Sequence, residues 1–161
     1  MRVLALGAHA ATLAQDLWPD AVVDTRAGKG RYGAVLAMNL LQTHSYRHAV
    51  KVLKEWFAMV DTPGELHVFV PSLEWAAEQI LASNPSPATL LHLFGEQMDK
   101  STINLCGFTM RDLRGQFEKA GIPVKFATTG QRVITSGSGE YVTEALYLCG
   151  WKHEQSGDDH Q

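Results

Sequence analysis

The residues of this chain best placed to do chemistry stand at the ends of three short apolar runs. Gly7-Ala8-His9 follows Val3 to Leu6. A glycine directly after a strand lets another backbone or a ligand come close, because it carries no Cβ. Asp24-Thr25 closes the run Ala21-Val22-Val23. A carboxylate there can accept two sugar hydroxyls, the reason nucleotide sites put an acid at a second strand's end. Met38-Asn39-Leu40 follows Ala34 to Ala37. It offers two apolar side chains and a side-chain amide that can both donate and accept hydrogen bonds. Each has a plainer reading: Gly7 as a turn residue, Asp24 as a turn cap, Met38 and Leu40 as core.

Among the histidines, His9, His44 and His92 fall near strand ends or in loops, where an imidazole that titrates near neutrality can serve as a general base. His44 and His48 have the i, i+4 spacing of a helical metal pair, but no carboxylate completes the HExxH pattern. Cys106 and Cys149 form no CxxC pair, so spacing indicates neither a zinc site nor a disulfide framework, and two buried thiols are expected. No metal is expected on these grounds. Gly28-Lys29-Gly30-Arg31 lacks the GxxxxGK[ST] phosphate cradle and reads as a solvated loop, and no GxGxxG follows the first run, which argues against hydride transfer.

The elements that must position these residues alternate. Strands are expected at Val3 to Leu6, Val22 to Asp24, Ala34 to Ala37 and Leu66 to Val70, each a short buried run. Between them a two-turn helix fits Ala10 to Leu17, and a longer one from Ser45 to Val60 places Ala49, Leu53, Trp56 and Phe57 on one face. Asp61-Thr62-Pro63-Gly64 reads as the turn that ends it. Ser72 caps a helix whose inward stripe is Leu73, Ala76, Ala77, Ile80 and Leu81, and Leu90 to Phe94 reads as a short helix. Residues 95 to 107 read as a loop. Thr109 caps a further helix that buries Leu113 and Phe117 and stops at Gly121. Val124 to Ala127, Arg132 to Thr135 and Tyr141 to Cys149 supply late strands, the last two paired across Ser136-Gly137-Ser138-Gly139. The pattern predicts an α/β fold: a Rossmann-like, mostly parallel sheet flanked by helices, with an antiparallel C-terminal edge strand. In such sheets ligands bind outside the carboxyl ends of the strands.

The 161 residues fit one domain, expected over 1–152, followed by a polar tail over 153–161. With 45% hydrophobic and 19% charged residues the composition is globular. A formal charge of -3 leaves nucleic acid not indicated. No apolar run is long enough to span a bilayer and the N-terminal run is too short for a signal peptide, so a cytoplasmic protein without membrane attachment is expected.

Read in order, Leu4-Ala5-Leu6-Gly7-Ala8-His9, Val22-Val23-Asp24-Thr25, Leu36-Ala37-Met38-Asn39-Leu40-Leu41, Thr62-Pro63-Gly64-Glu65-Leu66 and Val70-Pro71-Ser72-Leu73-Glu74 resemble the short class I S-adenosylmethionine-dependent methyltransferases. In that family a glycine-rich turn follows the first strand, an acid ends the second, and a "vLkpGG" turn precedes the fifth. Leu93-Phe94-Gly95-Glu96-Gln97, Gly107-Phe108-Thr109 and Ala120-Gly121 resemble the later part of a predicted-methyltransferase subgroup. The match is fullest over residues 50 to 122. The first half is shortened: the GxG turn is reduced to Gly7-Ala8-His9, and the chain runs from Asp24 to Tyr32 without the segment that supplies a third strand and its adenine-contacting acid.

The resemblance implies S-adenosylmethionine as cofactor, held by Gly7, Ala8, His9, Asp24, Thr25, Met38, Asn39 and Leu40, and methyl transfer to a small or polymeric acceptor that sequence does not identify. Glu74 and Trp75 fall where the family shapes an acceptor pocket. The shortened half opens a second reading, a methyltransferase-like binding or regulatory module without catalysis. A third joins the two: a half-site completed by a partner subunit, most simply in a homodimer.

Overall fold

The computed structural model describes residues 1–83, 85–95, 97, 102–136 and 139–153. Glu96, Gly137, Ser138 and the tail beyond His153 lie outside them. Six strands form one sheet, in the order β2-β1-β3-β4-β6-β5. The strands are β1 (Arg2–Leu6), β2 (Val22–Asp24), β3 (Tyr32–Met38), β4 (Val60–Pro71), β5 (Val124–Ser136) and β6 (Gly139–Lys152). β2, β1, β3 and β4 run parallel, while β6 is antiparallel to both β4 and β5. The reversed strand therefore sits one position in from the edge, enclosed by the returning hairpin.

The helices are α1 (Ala10–Leu17), α2 (Ala49–Ala58), α3 (Leu73–Leu81), α4 (Pro87–Phe94) and α5 (Met110–Ala120). Their ends follow local chemistry. The Ser72 hydroxyl accepts the Trp75 amide at the start of α3, and Thr109 and Asp112 form a reciprocal capping box on α5. Gly121 closes α5 in the left-handed region at φ 71°. Ser45 does not begin α2, because Tyr46–His48 forms a separate single 3-10 turn leading into it.

Two corrections to the sequence reading concern strand length. β4 begins at Val60, before the expected turn: Tyr32 pairs with Val60, Ala34 pairs with Glu65, and Asp61 to Gly64 bulge between these rungs. The runs Val124 to Ala127 and Arg132 to Thr135 are one continuous strand, since Thr128 to Gln131 keep pairing with β6. A third concerns α3. Ile80 and Leu81 are exposed and only Ala76 of its stripe is fully buried, because α3 packs chiefly on the short α4 and not across the sheet.

The two faces of the sheet are covered unequally. On one, α2 and α5 pack Leu53, Trp56, Leu113 and Phe117 against Val35, Leu66, Val68, Leu146 and Leu148. The other has α1 over β1 and β3, with Ala10 and Ala14 on Val3, Ala5, Ala34 and Leu36. The candidate site lies on that second face, beside α1 and over Phe69 of β4 and Ala145 of β6. No helix among the described residues is long and apolar enough to cross a membrane.

Candidate functional site

Leu6 and Met38 end neighbouring parallel strands, so the segments that follow them emerge side by side. Gly7 turns the chain with φ 97°, and a Cβ there would lie 2.1 Å from the Met38 carbonyl oxygen. Only glycine fits this approach. Its hypothetical Cβ would also meet Leu40, which places Leu40 against the turn. His9 follows in the left-handed region and is the N-cap of α1, but its side chain makes no capping bond, and the first turn of α1 carries no acidic residue. The positive end of that helix is therefore not neutralised from within its own first turn.

Opposite it stands Asn39, also left-handed at φ 53°, its amide N–H donating to the Phe69 carbonyl at 2.9 Å. Its side-chain oxygen Oδ1 is buried and accepts no hydrogen bond from the described residues. A buried acceptor in that state leaves a substantial desolvation cost uncompensated until a donor reaches it.

An open cleft of about 550 Å³ joins these parts. His9, Thr12, Leu13 and Asp16 of α1 form one wall, Met38, Phe69 and Ala145 the floor, and Gln131 to Val133 of β5 the far wall. Its size lies within the usual range for small-molecule sites. A second hollow of about 390 Å³ lies beyond Gln131, which lines both, and is bordered by Trp75, Thr143 and Glu144.

Of the residues singled out from sequence, the structure brings together Gly7, His9, Met38, Asn39 and Leu40, with Ala8 inside the Gly7–His9 turn. Asp24 and Thr25 stand apart. β2 is only three residues long and pairs Asp24 with Leu4, two rungs short of the end of β1. The Asp24 carboxylate accepts a 2.7 Å hydrogen bond from the Arg2 guanidinium, which also lies over the Tyr32 ring. The Gly28 amide donates to the Tyr32 hydroxyl, so the basic glycine loop is tied down as a loop.

The other histidine candidates take structural places. His92 is buried, its Nε2–H donating to the Ser72 carbonyl at 2.7 Å, and burial lowers its pKa to about 4. It is not a base in the cleft. His44 lies before the 3-10 turn, edge-on to Trp56, and His48 bonds Ser45, so they share no metal-binding helix face. Glu74 accepts the Met110 amide and Trp75 packs on the His92 ring. Burial raises Cys106 to about 11 and Cys149 to about 12, which removes both as thiolate nucleophiles. Sequence reasoning missed Asp16 and the β5 wall, which reaches the site through a pairing no local pattern encodes.

No protein-family profile and no curated protein sequence matches this chain. Solved structures do match it in fold. A candidate methyltransferase from Bacillus halodurans superposes with TM-score 0.60 at 10% identity, over 94% of this chain and 92% of its own. A SAM-dependent methyltransferase from Methanosarcina mazei gives 0.55 at 10% identity, over 96% and 82%. PigF, solved with SAH, gives 0.54 at 13% identity, over 94% of this chain and half of its own.

Proposed function

We propose that this chain, which has the class I methyltransferase fold, binds S-adenosylmethionine between Gly7-Ala8-His9 and Met38-Asn39-Leu40 and transfers its methyl group to an acceptor in the adjoining cleft. The observation that carries the reading is the buried Asn39 Oδ1, without a donor among the described residues, in the cleft that the uncapped start of α1 also lines. An α-amino acid tail suits both: its ammonium can donate to Asn39, and its carboxylate suits the positive helix end. When bound, the cofactor supplies an activated methyl group on a sulfonium.

The protein's part is to hold and orient. Gly7 brings the turn against β3, Leu40 backs that turn, and Met38, Phe69 and Ala145 give the cleft an apolar floor. The acceptor is placed toward Gln131 and the hollow bordered by Trp75, and His9 and Asp16 are the titratable side chains of the α1 wall that could take its proton. PigF with SAH supports the cofactor class.

A second reading, binding without transfer, is favoured by two observations: the Asp24 carboxylate is occupied by Arg2, and β2 is the edge of the sheet, with no further strand beyond it among the described residues. Calorimetry with S-adenosylmethionine and S-adenosylhomocysteine tests binding, and turnover with a panel of small nucleophiles then separates the two readings. Absence of heat with either ligand, at a measured oligomeric state, would remove both.

A further inference from the structure

Below the cleft, on the same face of the sheet, Glu65 and His67 project from β4 and Cys149 from β6. The side-chain period of two puts Glu65 and His67 on one face, and the antiparallel register makes Cys149 the direct partner of His67. One donor atom from each lies within 4.8 Å of the others. We propose that Glu65 Oε2, His67 Nε2 and Cys149 Sγ bind a divalent transition-metal ion of the zinc class.

The geometry is close to what such an ion requires. Tetrahedral ligands of nitrogen and oxygen at about 2.0–2.1 Å stand roughly 3.3 Å apart, and His67 Nε2 and Glu65 Oε2 are 3.1 Å apart. A thiolate ligand at about 2.3 Å asks for a movement of roughly an ångström by Cys149. The outer shell is present as well. His67 Nε2–H donates to Glu65 and Nδ1 accepts from the Tyr147 hydroxyl at 2.6 Å; an ion that takes the place of the Nε2 proton moves that proton to Nδ1, where Tyr147, fixed by stacking on Phe69 at 4.1 Å, can accept it. Lys125 takes the other Glu65 oxygen, Oε1, and so orients Oε2 toward His67.

Charge and proton balance follow. Cys149 gives up its thiol proton to solvent on binding, and thiolate plus carboxylate offset the two charges of the ion while His67 stays neutral. A water completes the four ligands on the Glu65 side, where that side chain is 29% exposed. Lying between β4 and β6, beside Trp18 at the end of α1, the ion fastens the strands that carry the cleft floor.

The test uses the full chain, freed of metal and with both thiols reduced, titrated with Co²⁺. The expected result is one equivalent bound, with a thiolate-to-cobalt absorption band that Zn²⁺ abolishes. Cys149→Ala should remove the band, Tyr147→Phe should weaken binding about tenfold or more, and Cys106→Ser should change neither. Because Cys149 is fully buried, Glu65→Gln at a part-exposed position provides the second variant, expected to bind cobalt at least about tenfold more weakly. No band in the reduced wild type, a band lost in Cys106→Ser instead, or unchanged affinity in Glu65→Gln overturns the assignment.

Discussion

Arg2 holds Asp24 by a 2.7 Å ion pair at the level of Leu4, turned away from the cleft that Gly7 and Asn39 flank. The shortened β2 explains this placement. Without a helix between β2 and β3, the chain turns back at Asp24 and never reaches the carboxyl end of the sheet beside Leu6.

Asp24→Ala is therefore expected to leave the affinity for S-adenosylhomocysteine unchanged within about twofold, and to lower stability only slightly, because exposed ion pairs are screened by water and salt. Melting temperature and calorimetric affinity measured on the same variant check this. A tenfold loss of affinity would restore Asp24 as the ribose acceptor.

Gly7→Ala is expected to destabilise the protein by more than about 1 kcal/mol, since φ 97° and the Met38 carbonyl at 2.1 Å both oppose a Cβ. Urea denaturation gives the value. Unchanged stability would mean that the turn is not held against β3 as described.

Much of this arrangement was legible in the sequence. The buried runs of β1 and β3, the Thr109 cap and Gly121 stop of α5, and the placing of Gly7 and Asn39 at strand ends all come from local pattern and from family order. The rest depends on which face is covered. Ile80 and Leu81 have a helical period suited to burial, yet both stay exposed. The alternation of Glu65, His67 and Phe69 marks a shared face, but only the register with β6 brings Cys149 to it, and only the β5 hairpin brings Arg132 and Gln131 to the cleft.

His92 gives a pH dependence with a definite sign. Burial lowers its pKa to about 4 from an unfolded value near 6.5, so below pH 6.5 the unfolded chain takes up a proton that the folded one refuses. Stability contributed by the neutral ring is full above pH 6.5 and is lost as the pH falls toward 4. The loss between pH 7 and 4.5 is expected to be on the order of 2 to 3 kcal/mol. His92→Gln, which keeps an N–H for the Ser72 carbonyl, should show a shallower decline in urea midpoints over that range. Parallel declines in the two proteins would contradict the assignment.

The central claim is that Asn39 and the start of α1 receive the amino acid tail of the cofactor, and calorimetric titration of S-adenosylhomocysteine into wild type and Asn39→Ala tests it most directly. A charge-assisted hydrogen bond contributes roughly 1.5 to 3 kcal/mol, so the account predicts saturable binding by wild type and an affinity about ten- to a hundredfold weaker in the variant. Equal affinities in the two proteins, both folded, or no binding by wild type, would contradict it.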